Sequence, residues 1–330
     1  MILANRQKSR WEPFSKFARL CLESIACLSP TRIFHKSLHI DQSIQPFLAN
    51  AGISQFQDFV DFSAGTLVSR PSKRHVRRLS LEVAGQKKTY FLKQSGVQSF
   101  HLFLKSWCRL QVPLSGAVRE LLLLELFRDQ GIPVMKAVVW GEHTVLGWPV
   151  RSFILVEEVG GKEFVDVYRG ASLRVRRRLF RLYGELMGTL HRIGIDSKVR
   201  PEDLICVCDD YKDFRNCFVV IDREHGRPHL TELSIEQCGI RLGDIWAKGM
   251  YRIGLGERSE LLAFFSGYLT AAGQRSACKA HGAIAANLVQ RASRRAAEVL
   301  YHDNRFETLR TGFRVLYGVG LDRFIPRRIF

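Results

Sequence analysis

At Glu157-Glu-Val-Gly-Gly161 the apolar pattern turns from mainly strand-like to mainly helical, and no other feature constrains the fold as strongly. Before that point short runs match strands: Thr66 to Ser69, Val76 to Val83, Thr89 to Leu92, Ala137 to Trp140 and Phe153 to Val156. Ala84-Gly-Gln-Lys-Lys88 supplies a turn between the second and third, and Gly141-Glu-His143 one between the last two. One helix interrupts them, from Ser115 to Gln130, with an apolar stripe of Val118, Leu121, Leu122, Leu126 and Phe127; Gly131-Ile-Pro133 stops it. After Gly161 the period becomes helical, most clearly over 172–192, where Val175, Leu179, Leu182, Leu186 and Leu190 recur. Two short strands follow, Leu204 to Val207 and Cys217 to Ile221. Gly243-Asp244 then reads as a helix start capped by its acid, and 257–314 reads as helical. The expected fold is α+β and bilobal: a small antiparallel β lobe with one main helix, a connector, and a larger, mainly helical lobe.

The lobes are expected at 47–158 and 159–330, after an amino-terminal extension over 1–46. Residues 11–28 of that extension have a helical period and basic flanks, suited to a membrane surface or to packing on the domain. Residues 41–64 read as two short helical pieces. With 330 residues, 46% of them hydrophobic, the chain can bury a large core. No run approaches the roughly 18 apolar residues of a membrane span, and no apolar signal segment follows MILANRQKSRWEPF. Eight cysteines are too dilute for a disulfide scaffold. Cys206, Cys208 and Cys217 admit a zinc site, but without a regularly spaced fourth ligand they read as buried free thiols.

A formal net charge of +18 calls for anionic company. Between Arg70 and Lys93 stand eight basic residues and one acid, Glu82, and the last fifty residues hold nine arginines against four acids. Five more arginines, at 174, 176, 177, 178 and 181, crowd the start of the helix at 172–192, an unfavourable end for positive charge. Anionic lipid, phosphorylated glycan and nucleic acid are the candidate partners. Nucleic acid fits least, because the aromatic residues are not interleaved with the basic ones as a stacking platform requires.

Four separated charged residues suggest chemistry: Lys93 after an apolar strand, Glu120 off the centre of its helix stripe, and Asp203 and Asp222 bracketing the two late strands. Phosphoryl transfer needs such a set, with a cation on the phosphates, an acid fixing that cation, and oxygens to carry Mg²⁺.

Together with Arg77-Arg78-Leu79, Tyr90-Phe-Leu-Lys93, Arg119-Glu120, Leu126-Phe-Arg-Asp-Gln-Gly131-Ile-Pro133, Leu190-His191 with Gly194, Val-Ile-Asp222-Arg223 and Gly243-Asp-Ile-Trp-Ala247, the stretch from Phe47 to Leu269 resembles the lipopolysaccharide kinase family, the Kdo and core-heptose kinases of Gram-negative bacteria. The resemblance implies a protein-kinase-like fold, ATP and Mg²⁺ as cofactors, and transfer of the γ-phosphate to a sugar hydroxyl of an anionic glycolipid. It implies that Lys93 clamps phosphate, Glu120 fixes Lys93, Asp222 binds metal, Glu157 belongs to the hinge that meets adenine, and the nucleotide-covering loop lies near Gly65. The expected location is cytoplasmic, at the cytoplasmic face of the inner membrane.

The catalytic loop departs from the family pattern. Counting forward from Gly194 puts Val199 where the catalytic aspartate belongs. Counting back from the strand at Leu204 puts Lys198 there and Asp203 at the second metal position. Sliding the motif makes Asp203 the catalytic acid and leaves Cys208 at the metal position. The second count is preferred, with Asp196 as the candidate substitute base. The readings left open are a glycolipid kinase, a catalytically weak or inactive nucleotide-binding relative, and a basic nucleic-acid binder. His191 reads as a packed helix-end histidine; His225 and His229 are separated by Gly226 and Pro228, which suggest a turn.

Overall fold

The computed structural model describes residues 34–69, 74–108, 113–222, 226–229, 231–253, 257–273 and 280–302. The helix expected at 11–28 and the basic tail beyond 302 lie outside the described residues. The chain forms two compact units, Met1–Val159 with Asp222–Glu224, and Gly160–Ile221 with His225–Phe330.

The first unit is built on six antiparallel strands: β1 (Phe34–Ile40), β2 (Thr66–Ser69), β3 (Arg74–Val83), β4 (Gln86–Ser95), β5 (Ala137–Val145) and β6 (Trp148–Glu157), in spatial order β1-β5-β6-β4-β3-β2. Strands β3 and β4 meet through Ala84-Gly85, and β5 and β6 through Leu146-Gly147; all four residues have positive φ, the geometry of tight two-residue hairpins. The turn expected at Gly141–His143 is therefore displaced by five residues. Gly141 lies within β5 opposite Phe153, whose ring would sit 2.7 Å from a Cβ there, so close packing rather than turning requires this glycine. Strand β1, within the stretch assigned to the amino-terminal extension, pairs along its whole length with β5.

Alternation gives the sheet two apolar faces. Tyr90, Leu92, Val139, Phe153 and Leu155 bury one of them under helices α1 (Gln45–Asn50) and α2 (Phe56–Asp61), with Phe59 stacked on Phe153 at 4.7 Å. The short helix α3 (Phe100–Cys108) follows β4. The other face carries α4 (Gly116–Asp129), which starts where the Ser115 hydroxyl accepts from the Val118 N–H. Leu123, Leu124 and Phe127 are fully buried there.

The second unit contains β7 (Lys162–Glu163), α5 (Phe164–Gly170), α6 (Leu173–Arg192), β8 (Ile195–Ser197), a 3₁₀ turn at Pro201–Asp203, β9 (Leu204–Cys206), α7 (Phe214–Cys217), β10 (Phe218–Val220), β11 (Gly226–Pro228), α8 (Ile235–Ile253), α9 (Arg258–Ala271) and α10 (Ala280–His302). Helices α6 and α9 approach until a Cβ on Gly184 would lie 2.0 Å from the Phe264 carbonyl oxygen, so their backbones touch. Gly243-Asp244 does not start a helix. It lies inside α8, where Gly243 faces α10 closely enough that a Cβ would meet the Ala292 carbonyl at 2.6 Å. Likewise Gly226 and Pro228 form a strand against β8, not a turn, while His225 lies outside the described residues. No helix among the described residues is long and apolar enough to cross a membrane.

Candidate active site

Strand parity sends Leu92 into the core under α1 and α2 and turns Lys93 to the opposite face, toward α4. There its ammonium lies 2.5 Å from Glu120 Oε1. Glu120 is 1% exposed and Lys93 8%, so this is a buried ion pair within one unit. Asp222 follows β10 by two residues and adopts φ +57°, a left-handed conformation in which aspartate is one of the few tolerated non-glycine residues. Its half-exposed carboxylate takes a second contact from Lys93, with Nζ 2.9 Å from Oδ1. A fourth member joins from β3: Arg74 Nη2 stands 3.3 Å from Asp222 Oδ1 and 3.4 Å from Glu120 Oε2. In these contacts Lys93 and Arg74 face Glu120, which is buried, and Asp222, which is open.

Asp203 stands at the base of a ladder in the second unit. Strands β9 and β10 pair from Cys206↔Phe218 to Leu204↔Val220, and the Ile221 N–H then donates to the Asp203 carbonyl at 2.8 Å. The Asp203 carboxylate is gripped by Arg200, through Nη2 at 2.9 Å, Nε at 3.2 Å and the backbone N–H at 2.8 Å.

A sequence model described as the lipopolysaccharide kinase (Kdo/WaaP) family matches residues 46–231, more than half of the chain. The chain belongs to the lipopolysaccharide kinase (Kdo/WaaP) family. It is 28% identical over 128 residues to the lipopolysaccharide core heptose(I) kinase WaaP of Escherichia coli, and 27% identical over 128 residues to that of strain K12. Each match takes in 37% of this chain and 48% of the relative, so the chain spans about half the length of the curated relatives it matches. Among solved structures, WaaP in complex with acyl carrier protein superposes with a TM-score of 0.55 at 19% identity, over 79% of this chain and 98% of that one. The fold is accordingly protein-kinase-like: a small antiparallel sheet unit and a larger helical one.

In this lipopolysaccharide-kinase family chain the loop between α6 and β9 is closed by ion pairs. Both Asp196 oxygens are held by Arg241, through Nε and through Nη2 at 2.7 Å. His229 Nε2 stands 3.8 Å from the same carboxylate. Lys198 extends its ammonium to Asp244 Oδ2 at 2.5 Å, and Arg295 Nε reaches Asp244 Oδ1 at 2.7 Å. Asp244 is 3% exposed. Burial alone would raise its pKa, but hydrogen bonds from Lys198 and Arg295 hold it below the ordinary carboxylate value. The residue read as a helix cap therefore ties the loop to α8 and α10.

Glu157 ends β6, its N–H donating to the Lys136 carbonyl and its side chain 3.1 Å from Lys88 Nζ. The next N–H, of Glu158, donates to the Thr89 carbonyl. His191 is buried at the end of α6 with Nδ1 2.9 Å from the Tyr268 hydroxyl; burial lowers its pKa to about 4, so the ring is neutral. Cys206 and Cys217 are buried thiols, each pushed up to about 12, chiefly by burial. Cys208 and Cys217 lie 3.2 Å apart, and both thiols donate to the Asp210 carbonyl.

Arg74 was missed in the sequence because it is one of eight basic residues in a short stretch. The signal was nevertheless present. Counting outward from the Ala84-Gly85 turn pairs Val76 with Lys93, so Arg74 is the diagonal neighbour of Lys93 on the same face.

Proposed function

We propose that this chain is an ATP-dependent phosphotransferase that moves the γ-phosphate to a sugar hydroxyl of an anionic glycolipid. The observation that carries the reading is the Lys93–Glu120–Asp222 cluster. An ammonium fixed by a buried glutamate and shared with an open carboxylate is suited to an anion accompanied by a metal ion. Carboxylate oxygens suit a hard cation, so Asp222 in the first unit and Asp203 in the second are each candidates to hold Mg²⁺, which would neutralise the polyphosphate. Arg200 already donates to Asp203, but an ionised carboxylate offers about four lone-pair directions, so a metal is compatible with that contact. Glu157 and Glu158 commit their N–H groups to the sheet, so adenine would be met by the following backbone from Val159 onward.

In this reading Lys93 holds phosphate oxygens, Glu120 keeps its ammonium oriented, and Asp222 neutralises it in the absence of nucleotide. Phosphoryl transfer depends mainly on positioning and charge stabilisation, so the chain can retain transfer with a weak base or none. The acceptor is drawn by positive charge, and the formal charge of +18 supports an anionic glycolipid at a membrane surface, taken here as the cytoplasmic face of the inner membrane.

A second reading, a nucleotide-binding relative without turnover, is favoured by the loop itself. Lys198, at the position the preferred count gives to the base, is spent on Asp244, and Asp196 is spent on Arg241. Transfer of labelled phosphate from ATP to purified core glycolipid separates the two. The kinase reading expects transfer that Lys93→Ala and Asp222→Asn abolish. Nucleotide binding without transfer to any glycolipid acceptor supports the second reading and refutes the first.

A further inference from the structure

Two thiols in the second unit are in contact. Cys208 Sγ stands 3.2 Å from Cys217 Sγ, and both reach the Asp210 carbonyl oxygen, Cys217 at 2.9 Å and Cys208 at 3.6 Å. We propose that Cys208 and Cys217 are a modification site, a pair that a small-molecule disulfide oxidises to a reversible intramolecular disulfide closing the end of the β9–β10 hairpin. Neither thiol takes part in the nucleotide reading above.

The backbone brings the pair together. Past the Cys206↔Phe218 pair, the Val207 N–H donates to the Cys217 carbonyl at 2.9 Å, so the two chains stay joined up to the residue before Cys208. The loop then returns through the one-turn helix α7, capped where the Asp213 carboxylate accepts from the Arg215 N–H, and α7 ends at Cys217. A disulfide needs its sulfurs at ~2.05 Å. From 3.2 Å the gap to close is about 1 Å, a distance that side-chain rotation covers while the ladder stays in place. Cys206, the other thiol of β9, is 5% exposed and lies opposite Phe218.

The two thiols differ in access. Cys208 is half-buried and Cys217 is buried, so an oxidant from solvent meets Cys208 first. Burial, and then the Cys208 thiol beside it, push the Cys217 thiol up, while the backbone N–H groups of Asp213 and Lys212 favour its thiolate. Cys208 is therefore the attacking thiol and Cys217 the resolving one. In the first step the Cys208 thiolate attacks one sulfur of the small disulfide. That S–S bond breaks, and the departing thiolate takes up the proton that Cys208 gave. In the second step Cys217 gives up its proton and attacks Cys208 Sγ. The mixed disulfide breaks, and the second small thiol leaves with that proton. Two protein thiols are oxidised and one small disulfide is reduced to two thiols.

The new bond closes the loop end of a ladder whose other end is the Ile221 N–H on the Asp203 carbonyl at 2.8 Å. A cross-link over a short loop removes open states of the chain, so local opening of this hairpin becomes rarer.

The test is incubation of the folded full-length chain with oxidised glutathione, alkylation of the remaining thiols, tryptic digestion and mass spectrometry. Trypsin cuts after Lys212 and Arg215, so residues 199–212 and 216–223 fall in separate peptides. They should be recovered as one linked species that dithiothreitol separates, with fragment ions placing the link on Cys208 rather than Cys206. Cys208→Ser should abolish the link and Cys206→Ala should retain it, each variant first checked by thermal melting. Hydrogen exchange at the Val207 and Ile221 N–H groups should slow by about tenfold or more on oxidation. Folded wild-type chain that yields no linked species, or a link that survives in Cys208→Ser, overturns the proposal. A link that leaves exchange at both amides unchanged overturns the closing of the hairpin.

Discussion

Replacing Glu120 by leucine tests the cluster as a physical object, apart from any activity. The variant leaves the Lys93 ammonium, 8% exposed, with Asp222 as its remaining close acid at 2.9 Å. Removing one partner of a buried pair costs about 3–5 kcal/mol, because the other charge stays buried without compensation. Asp222 is half exposed and still contributes, so the lower end applies, about 3 kcal/mol. For a unit of this size that is roughly 6–12 °C in melting temperature. The companion variant Lys93→Met leaves Glu120, 1% exposed, with the long Arg74 contact at 3.4 Å as its ion pair among the described residues, and should cost at least as much. The double variant removes both charges together and leaves Arg74 to balance Asp222. Its loss should fall short of the sum of the single losses by about 2 kcal/mol, measured by urea unfolding followed with tryptophan fluorescence. Strict additivity, or a Glu120→Leu variant as stable as the wild type, would refute the claim that the two groups form one buried electrostatic unit.

Gly243→Ala should destabilise the second unit by about 1–3 kcal/mol in urea unfolding, since its Cβ would press on the Ala292 carbonyl and the Arg295 side chain. His191 has a folded pKa of about 4 against 6.5 for the free side chain, so the unfolded state binds more protons between those values. Its contribution is complete above pH 6.5 and is lost as pH falls toward about 4; a His191→Gln variant should show a flatter stability profile over that window. Asp244, whose pKa is lowered below 3.8, contributes stability above that value that is lost as pH falls through its folded pKa, and Asp244→Asn should remove this acid-side dependence from the unfolding profile. Lys198→Asp should raise phosphate transfer above that of Lys198→Ala by about a hundredfold if residue 198 occupies the base position, and equal rates in the two variants would remove that assignment.

The parts of this fold that were legible are those whose signal is local. The Ala84-Gly85 turn and the alternation around Tyr90–Lys93 set a hairpin within about twenty residues, and the stripe of α6 repeats within one helix. Strand β1 gave no such signal. Phe34, Leu38 and Ile40 share one face of Phe34–Ile40 but Lys36 breaks the run, and the strand's partner β5 lies a hundred residues later, with Leu38 facing Gly141. Glu120 was legible as lying off its stripe, but not as buried, because the burial comes from the sheet beneath α4 rather than from the helix.

The glycines and acids that were misread share one cause. Gly141 and Gly243 carry the local signature of a turn or a helix end, yet each is demanded by a neighbour, Phe153 across the hairpin and Ala292 on another helix. Asp244 follows Gly243 and inherits the error: it resembles a cap, but its partners are Lys198 and Arg295, about fifty residues away on either side. The same non-local logic bears on the loop. The preferred count along the sequence puts Lys198 at the expected base position. What the sequence does not display is that Lys198 is directed onto Asp244, whose carboxylate Arg295 already holds at 2.7 Å. A lysine there is thus built into the scaffold of the second unit rather than left as a spare cation. Lys198→Ala should therefore loosen the loop and lower stability even if transfer never depended on residue 198.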